Sequence, residues 1–487
     1  MLINQIKQTD LETIHEKTLY LLEHMGVDFE HPELLELYRK QGIRTEGNRV
    51  YFDRKTVERA LSTVPPSFVL KTPFEELKIG EGGQAISSAS GARKILRDNQ
   101  VYDPTPEDYV NIRKLDASSS MINLSSSPLT YIPAFPKERA EAIKGALTLK
   151  YSTHPVIMSC FGKTDAEETI QLARDFYDTD EGYYTIGVGN AISPMRYAKD
   201  DIEGQLAYTK RNLPVVIACC AIPGMTSPVT LGGTIVQNNA EVLAGVIMTQ
   251  LVNPGAPVIY GNTTYVSNMR KAMPVSWGCE EALFIQYAKA MADYYHVPCR
   301  TGGSLSMGKE LDYQNGAETA MSLMTSLDVK ADFIFHSFGE MDGLNVFSFE
   351  KYVLDEQIME ARKSVERIDI FSEEDMDLET IQEVGPGGNY LAEEETILRY
   401  RTEIYYPELY SMENYAEWER SGRVSVEQKA KERVEKRLKE YTAPEYTEKQ
   451  KAVLKKLLRD LTCNRMRAYS LSLCAEKEKQ KKREVVL

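Results

Sequence analysis

His336 and Glu340 lie four residues apart, with Phe338 between them, just after the apolar run Phe333–His336. An imidazole and a carboxylate at that spacing can serve as an acid–base pair, or can hold a cationic substrate and balance its charge. A second set, Gly261-Asn262-Thr263-Thr264-Tyr265, follows the apolar Val258-Ile259-Tyr260 and offers an amide and an aromatic face. Three further sets stand in equivalent places: Gly187-Val188-Gly189-Asn190 with Ser193, Cys219-Cys220 with Pro223-Gly224, and Gly302-Gly303-Ser304. All are polar, glycine-rich or aromatic, and poor in charge pairs. No Ser-His-Asp order and no paired-carboxylate spacing stands out. The six histidines form no HxH or HExxH pair, so no local spacing supports a metal site.

Each set also has a purely structural explanation. Gly302-Gly303 and Gly387-Gly388 suit tight turns. Tyr260 can point outward under a helix, His336 can be a core histidine bonded to a carbonyl, and Glu340 can be solvated. Cys219-Cys220 read as small buried hydrophobes. Asn238, Asn239 and Glu241 interrupt the buried face of a helix, where polar groups must be satisfied, and read as a structural network.

The elements that position these residues alternate. From about Glu107, short strands apolar on both faces recur every 35 to 45 residues, separated by helices. The strands are expected at Ile122–Ser125, Pro155–Ser159, Tyr184–Val188, Val215–Cys219, Val258–Gly261, Pro298–Gly302 and Phe333–His336. Seven such units favour a (β/α)8 TIM barrel over a doubly wound sheet, with the eighth strand expected between Leu378 and Gly385. The missing nucleotide-binding glycine motifs agree with that choice. The barrel is expected over 105–400, behind an N-terminal helical and small β extension at 1–104 and before C-terminal charged helices at 401–487. A capping box at Thr9-x-x-Glu12 opens the first helix. In the barrel, the residue sets above all fall just after strands, where such folds build their sites.

The 487 residues carry a net charge of −14, which argues against nucleic acid as a partner. No apolar run reaches the length of a membrane span, and the N-terminus lacks a secretory pattern. Seven cysteines without a CxxC suit reduced thiols in the cytoplasm. Residues 421–487 hold 19 Lys/Arg against 10 Asp/Glu, a balance of +9 that leaves −23 on the remainder. That tail reads either as solvated surface helices or as a docking surface for an acidic partner.

Four stretches carry a resemblance. They are TIHEKTLYLLEHMGVDFEHPELLELYRKQGIRTEGNRVYFDRKTVERAL, PVTLGGTIVQNNAEVLAGVIMTQLVNPGAPVIYG, LDYQNGAETA and VGPGGNYLAEEETILRYRTEIYYPELYS. Together they resemble the trimethylamine methyltransferase (MttB) family of corrinoid-dependent methyltransferases across nearly the whole chain. The last stretch departs from the family pattern, with Asn389 and Glu395 where histidines are usual. No pyrrolysine is present, so the chain resembles the non-pyrrolysine branch.

The resemblance implies a TIM barrel that moves a methyl group from a quaternary amine to the Co(I) of a cognate corrinoid protein. The amine is of the glycine betaine, proline betaine, carnitine or γ-butyrobetaine type. No tightly bound cofactor, metal or catalytic acid–base residue is then needed, because the leaving nitrogen already carries positive charge. Catalysis is by positioning. Aromatic faces suit the cation, and Tyr265, Phe338 and Tyr390 are the expected cage. Asn262 and His336 are the expected donors to a carboxylate, with Glu340 balancing the cation. A homo-oligomer is expected. The alternatives are a quaternary-ammonium binding protein without catalysis, or a barrel lyase or hydrolase using Glu340 and His336.

Overall fold

The computed structural model describes residues 6–128, 131–276, 278–367 and 370–458. One parallel sheet contains eight strands: β1 (Ala85–Ile86), β2 (Ser125–Ser126), β3 (Val156–Met158), β4 (Thr185–Ala191), β5 (Val215–Cys219), β6 (Val258–Asn262), β7 (Cys299–Gly302) and β8 (Phe333–Phe335). From β2 to β8 each strand pairs with the next, and β8 pairs back with β1. The Ser87–Leu124 bridge joins the end of β1 to the start of β2, with Leu124 N–H donating to Ile86 O at 3.2 Å. That bridge closes the ring.

A long helix follows each strand: α1 (Pro106–Ala117), α2 (Ala140–Tyr151), α3 (Lys163–Tyr177), α4 (Lys199–Thr209), α5 (Leu231–Val252), α6 (Gly278–Tyr294), α7 (Tyr313–Asp328) and α8 (Phe349–Ser364). The architecture is therefore a (β/α)8 barrel.

All seven expected strands are present. The eighth is not between Leu378 and Gly385, where Leu378–Val384 forms a short helix. It is Ala85–Ile86, which precedes the expected domain boundary at 105. This strand has only two residues and is followed by Ser87-Ser88, so no apolar run marks it. Its ladder comes instead from Phe333 and Ile334, far along the chain.

Strand alternation sorts the interior. In β5, Val215, Ile217 and Cys219 pack in the layer under the helices. Val216 and Ala218 face the lumen with Ile157, Ile186, Ile259 and Phe333. The hairpin Phe68–Lys71 with Glu76–Ile79 closes the N-terminal end of the barrel. Its Phe68, Leu70, Leu77 and Ile79 join the lumen cluster, and Lys71 N–H donates to Tyr183 O at 2.7 Å. Below the strands the lumen is filled, so a site belongs at their C-terminal ends.

The N-terminal helix Gln8–Tyr20 begins earlier than its expected cap. Lys7 N–H donates to Asp10 Oδ2 at 3.0 Å, so the capping pair is Lys7 and Asp10 rather than Thr9 and Glu12. This helix is tied to the barrel through Asn239, whose Nδ2 donates to Thr18 Oγ1 at 2.8 Å and to Tyr295 OH at 2.9 Å. Asn239 Oδ1 accepts from Tyr260 OH at 2.9 Å. Tyr260 thus points outward beneath α5, and the polar residues of α5 form a structural network.

The C-terminal helices strap the outside of the barrel. Val426–Glu440 buries Ala430 and Val434 in the same cluster as residues of α8 and α1. Arg437 pairs with the buried Glu356, and Arg433 with Glu360 and Glu408. These basic groups are engaged within the chain, which favours a structural role over docking. The rest of the basic tail, 459–487, lies outside the described residues.

Candidate active site

The loops after β7 and β8 are held by a buried ion pair on α8. Lys351 Nζ stands 2.6 Å from Asp355 Oδ2, and both side chains are buried. Asp355 Oδ2 also accepts from Ser304 Oγ at 2.7 Å and from Gly339 N–H at 2.8 Å. Lys351 Nζ donates further to Ser304 O at 3.0 Å and to Thr319 Oγ1 at 2.9 Å. Burial pulls the ammonium down and pushes the carboxyl up, and their mutual attraction opposes both shifts. The loops themselves lie close together. A Cβ on Gly303 would stand 2.7 Å from His336 O, so this glycine permits a close backbone approach rather than only a turn.

The loop after β4 has an equivalent anchor. Glu241 of α5 accepts from Ser193 Oγ at 2.6 Å and Met195 N–H at 2.9 Å. Burial raises its carboxyl pKa, and these hydrogen bonds oppose the rise. Cys219 Sγ donates to Asn238 Oδ1 at 2.8 Å. Burial raises both adjacent thiols, Cys220 to about 12, so neither is a ready nucleophile.

Between these loops lies a small, tight cavity of ≈ 10 Å³, room for about one water. Asn262 at the end of β6, with Thr264 and Tyr265 just beyond it, forms one wall, and Leu305 and His336 another. Glu281 of α6 adds a carboxylate, whose Oε2 accepts from Ser276 Oγ at 2.7 Å. Burial holds the Tyr265 phenol well above its usual range, so it is neutral. The hairpin Val266–Asn268 with Met273–Val275 extends from the same loop. Its Met269 sulfur stands 2.7 Å from where a Cβ on Gly224 would be, which brings the hairpin over the β5 loop.

Three of the six expected residues, Asn262, Tyr265 and His336, meet at this cavity. Glu340 lies behind His336, fully buried, with Oε1 accepting from Ser90 N–H at 2.8 Å. Phe338 is not at the cavity. It is fully buried with its ring 5.3 Å from that of Tyr352, because the chain turns outward after His336 toward α8. Tyr390 is not there either. It is 45% exposed in a turn where Asn389 Oδ1 accepts from Leu391 N–H at 2.8 Å.

One residue escaped the reading of the sequence. Arg300 lies in β7 and lines the cavity, yet its side chain is fully buried. Its Nη1 donates to Asn262 O at 2.7 Å, and the guanidinium lies 5.0 Å from the centre of the Phe335 ring. Burial lowers its pKa to about 10. Alternation could have found it: with Cys299 under the helices, the next residue faces the lumen.

A larger cleft, lined by Lys289, Asp293, Lys330 and Asp332, lies at the opposite end of the barrel. Lys289 pairs there with Asp293 and lies 3.8 Å from Asp332. Barrel chemistry sits at the C-terminal face, so the smaller cavity is the candidate site. Among the described residues no group of three or more His, Cys, Asp or Glu is gathered to hold a metal ion.

The signature of the trimethylamine methyltransferase (MTTB) family matches residues 2–464, and the chain belongs to that family. It is 31% identical to the glycine betaine methyltransferase of Desulfitobacterium hafniense (strain Y51), over 91% of this chain and 93% of that one. It is 30% identical to the proline betaine:corrinoid methyltransferase of Eubacterium limosum, over 93% and 96% of the two chains. It is 29% identical to the L-carnitine:corrinoid methyltransferase of the same organism, over 91% and 95%.

Proposed function

We infer that this protein moves a methyl group from a quaternary amine to the Co(I) of a corrinoid protein and releases the tertiary amine. The observation that carries this reading is the cavity at the C-terminal mouth of the barrel, in a chain of this methyltransferase family, where the Tyr265 phenol and the Glu281 carboxylate are brought together. An aromatic face and a carboxylate suit a quaternary ammonium head.

The chemistry asks little of the protein's acids and bases. The methyl carbon leaves nitrogen with the C–N electron pair staying on nitrogen, so a cation becomes a neutral amine and no proton moves. The protein must align the methyl group with its acceptor and exclude water. Tyr265, Asn262 and His336 hold the substrate, and the networks of Lys351–Asp355 and Glu241 hold their loops.

The partner corrinoid protein docks over the same mouth. Exposed Phe161, Met225, Val229 and Met269 from the loops after β3, β5 and β6, with Tyr313 at the start of α7, offer it an apolar rim. A homo-oligomer is supported by Phe371, Leu378, Ile381, Leu391 and Ile397, which are exposed apolar residues of one segment. Cys160, Cys219, Cys220, Cys279 and Cys299 are free thiols, which suits a reducing cytoplasm.

The test is mass spectrometry of candidate quaternary amines incubated with the enzyme and a reduced corrinoid protein. Appearance of the singly demethylated amine is expected. Binding without demethylation would favour a binding protein. Consumption of substrate without corrinoid would favour the lyase or hydrolase reading.

A further inference from the structure

We propose that Arg300 is the receptor for a carboxylate on the substrate, so that the cavity selects zwitterionic betaines over quaternary cations without a carboxylate. This rests on the methyl-transfer reading above and names the substrate class of the same site.

The other buried Lys and Arg side chains among the described residues have ion partners. Arg113 is fully buried and stands 2.6 Å from Asp116. Lys351 is fully buried and stands 2.6 Å from Asp355. Arg300 is equally buried, yet among the described residues no carboxylate comes within 4.0 Å of it. Among the described residues its one hydrogen bond is from Nη1 to Asn262 O, and its Nε has no partner. A guanidinium presents five N–H donors, so most of its capacity is unused. A buried charge in this state is costly until an anion reaches it. Among the described residues, the one buried arginine left without an ion partner is also the one that lines the cavity.

The other walls complete the argument. Tyr265 and Glu281 line the same cavity, and Glu340 lies close enough to Arg300 to support its charge. Arg300 projects from a strand, deep in the barrel, whereas Tyr265 belongs to the loop above it. The polarity of these walls therefore orients a zwitterion in one sense, with carboxylate down on Arg300 and ammonium up toward the phenol and the carboxylates. That sense turns the methyl groups toward the mouth, where the acceptor must approach. Arginine suits the task because its planar fork matches a carboxylate bidentately.

The alternative is that Arg300 is balanced at longer range by Glu340 and Glu281 and only floors the cavity. Calorimetric titration of the intact protein separates the two. The probes are glycine betaine, choline, tetramethylammonium, and 3,3-dimethylbutanoate, in which carbon replaces the ammonium nitrogen. The parent protein is expected to bind glycine betaine about 100-fold more tightly than choline or tetramethylammonium. Arg300→Gln should abolish that preference and all binding of 3,3-dimethylbutanoate, and Arg300→Lys should restore part of both. Equal affinity of the parent for betaine, choline and tetramethylammonium would overturn the proposal, with or without a folded variant, and would leave methyl transfer standing. An unchanged preference in Arg300→Gln would overturn it too. Failure of all three ammonium compounds to bind, and of proline betaine, carnitine and γ-butyrobetaine besides, would instead overturn the methyl-transfer reading, and this proposal with it.

Discussion

His336 Nδ1 and Glu340 Oε2 stand 2.7 Å apart, yet the contact is out of line for a hydrogen bond and both atoms are left without a partner of that kind. His336 is also held at φ +60°, an unusual conformation for a residue with a side chain. The pair is close enough to have suggested acid–base catalysis, but Glu340 is pinned by Ser90 N–H behind the imidazole. Methyl transfer from a quaternary nitrogen moves no proton. Glu340→Gln is therefore expected to raise KM by roughly tenfold through loss of charge balance while kcat stays within a few-fold. The pH profile of kcat should be flat from pH 6 to about 8.5. A bell-shaped profile that loses one limb in Glu340→Gln would establish the acid–base reading instead.

Of the three aromatic residues expected around the ammonium head, Tyr265 alone lines the cavity. Tyr265→Leu keeps apolar bulk and removes the π face, which at a desolvated site is worth up to about 2 kcal/mol, or roughly 30-fold in affinity. Phe338→Leu should leave affinity unchanged and cost about 1 kcal/mol of stability, because that ring packs on Tyr352. Tyr390→Leu should alter neither in the isolated chain. Titration with a quaternary amine and urea denaturation check all three. Equal losses of affinity in Tyr265→Leu and Phe338→Leu would remove the assignment.

The strands that could be read from the sequence are those with an apolar run of their own, such as Val215–Cys219, found at its expected bounds. The strand that could not be read is Ala85–Ile86, a two-residue stave that owes its place to Phe333 and Ile334. Site residues divide in the same way. Residues at or just after the ends of recognisable strands, such as Asn262, Tyr265 and His336, are found by position. Phe338 was misplaced because the direction of a side chain after a left-handed residue is not visible in spacing. Arg300 was missed because a charge inside an apolar strand is not expected, although the two-residue period pointed inward. Tyr390 was chosen from a distinctive motif whose residues lie largely exposed, outside the barrel sheet.

Lys351 and Asp355 make a sharper test of how the loops are held. Removing one charge leaves the other buried and unpaired, so Lys351→Met alone should cost about 3–5 kcal/mol. The double variant Lys351→Met with Asp355→Leu should recover much of that loss, since no orphaned charge remains. It should not recover activity fully, because Ser304 and Gly339 lose their common acceptor. Urea denaturation measures the first effect and kcat the second. A double variant no more stable than the single one would show that the hydrogen bonds to the loops, rather than the charge pair, dominate.

Arg300 also sets an alkaline limit on ligand binding. Burial lowers its pKa to about 10, with the Glu340 carboxylate supporting the charged form. A betaine carboxylate is ionised throughout this range and favours the protonated guanidinium, so binding takes up a proton once the free site begins to lose one. Affinity for glycine betaine should be constant below pH about 9 and then fall by about tenfold per pH unit above pH about 10. Stability runs differently. With its folded pKa lowered, Arg300 favours unfolding less as pH rises through about 10. Buried phenols such as Tyr260 and Tyr352 have raised pKa values, so the unfolded chain loses their protons first and stability declines above the usual tyrosine range. Circular dichroism must therefore accompany the titrations and define the pH window in which the fold persists. Within that window choline should show no such inflection, since nothing in it needs the guanidinium. A common inflection for betaine and choline would mean that the limit comes from the fold and not from Arg300.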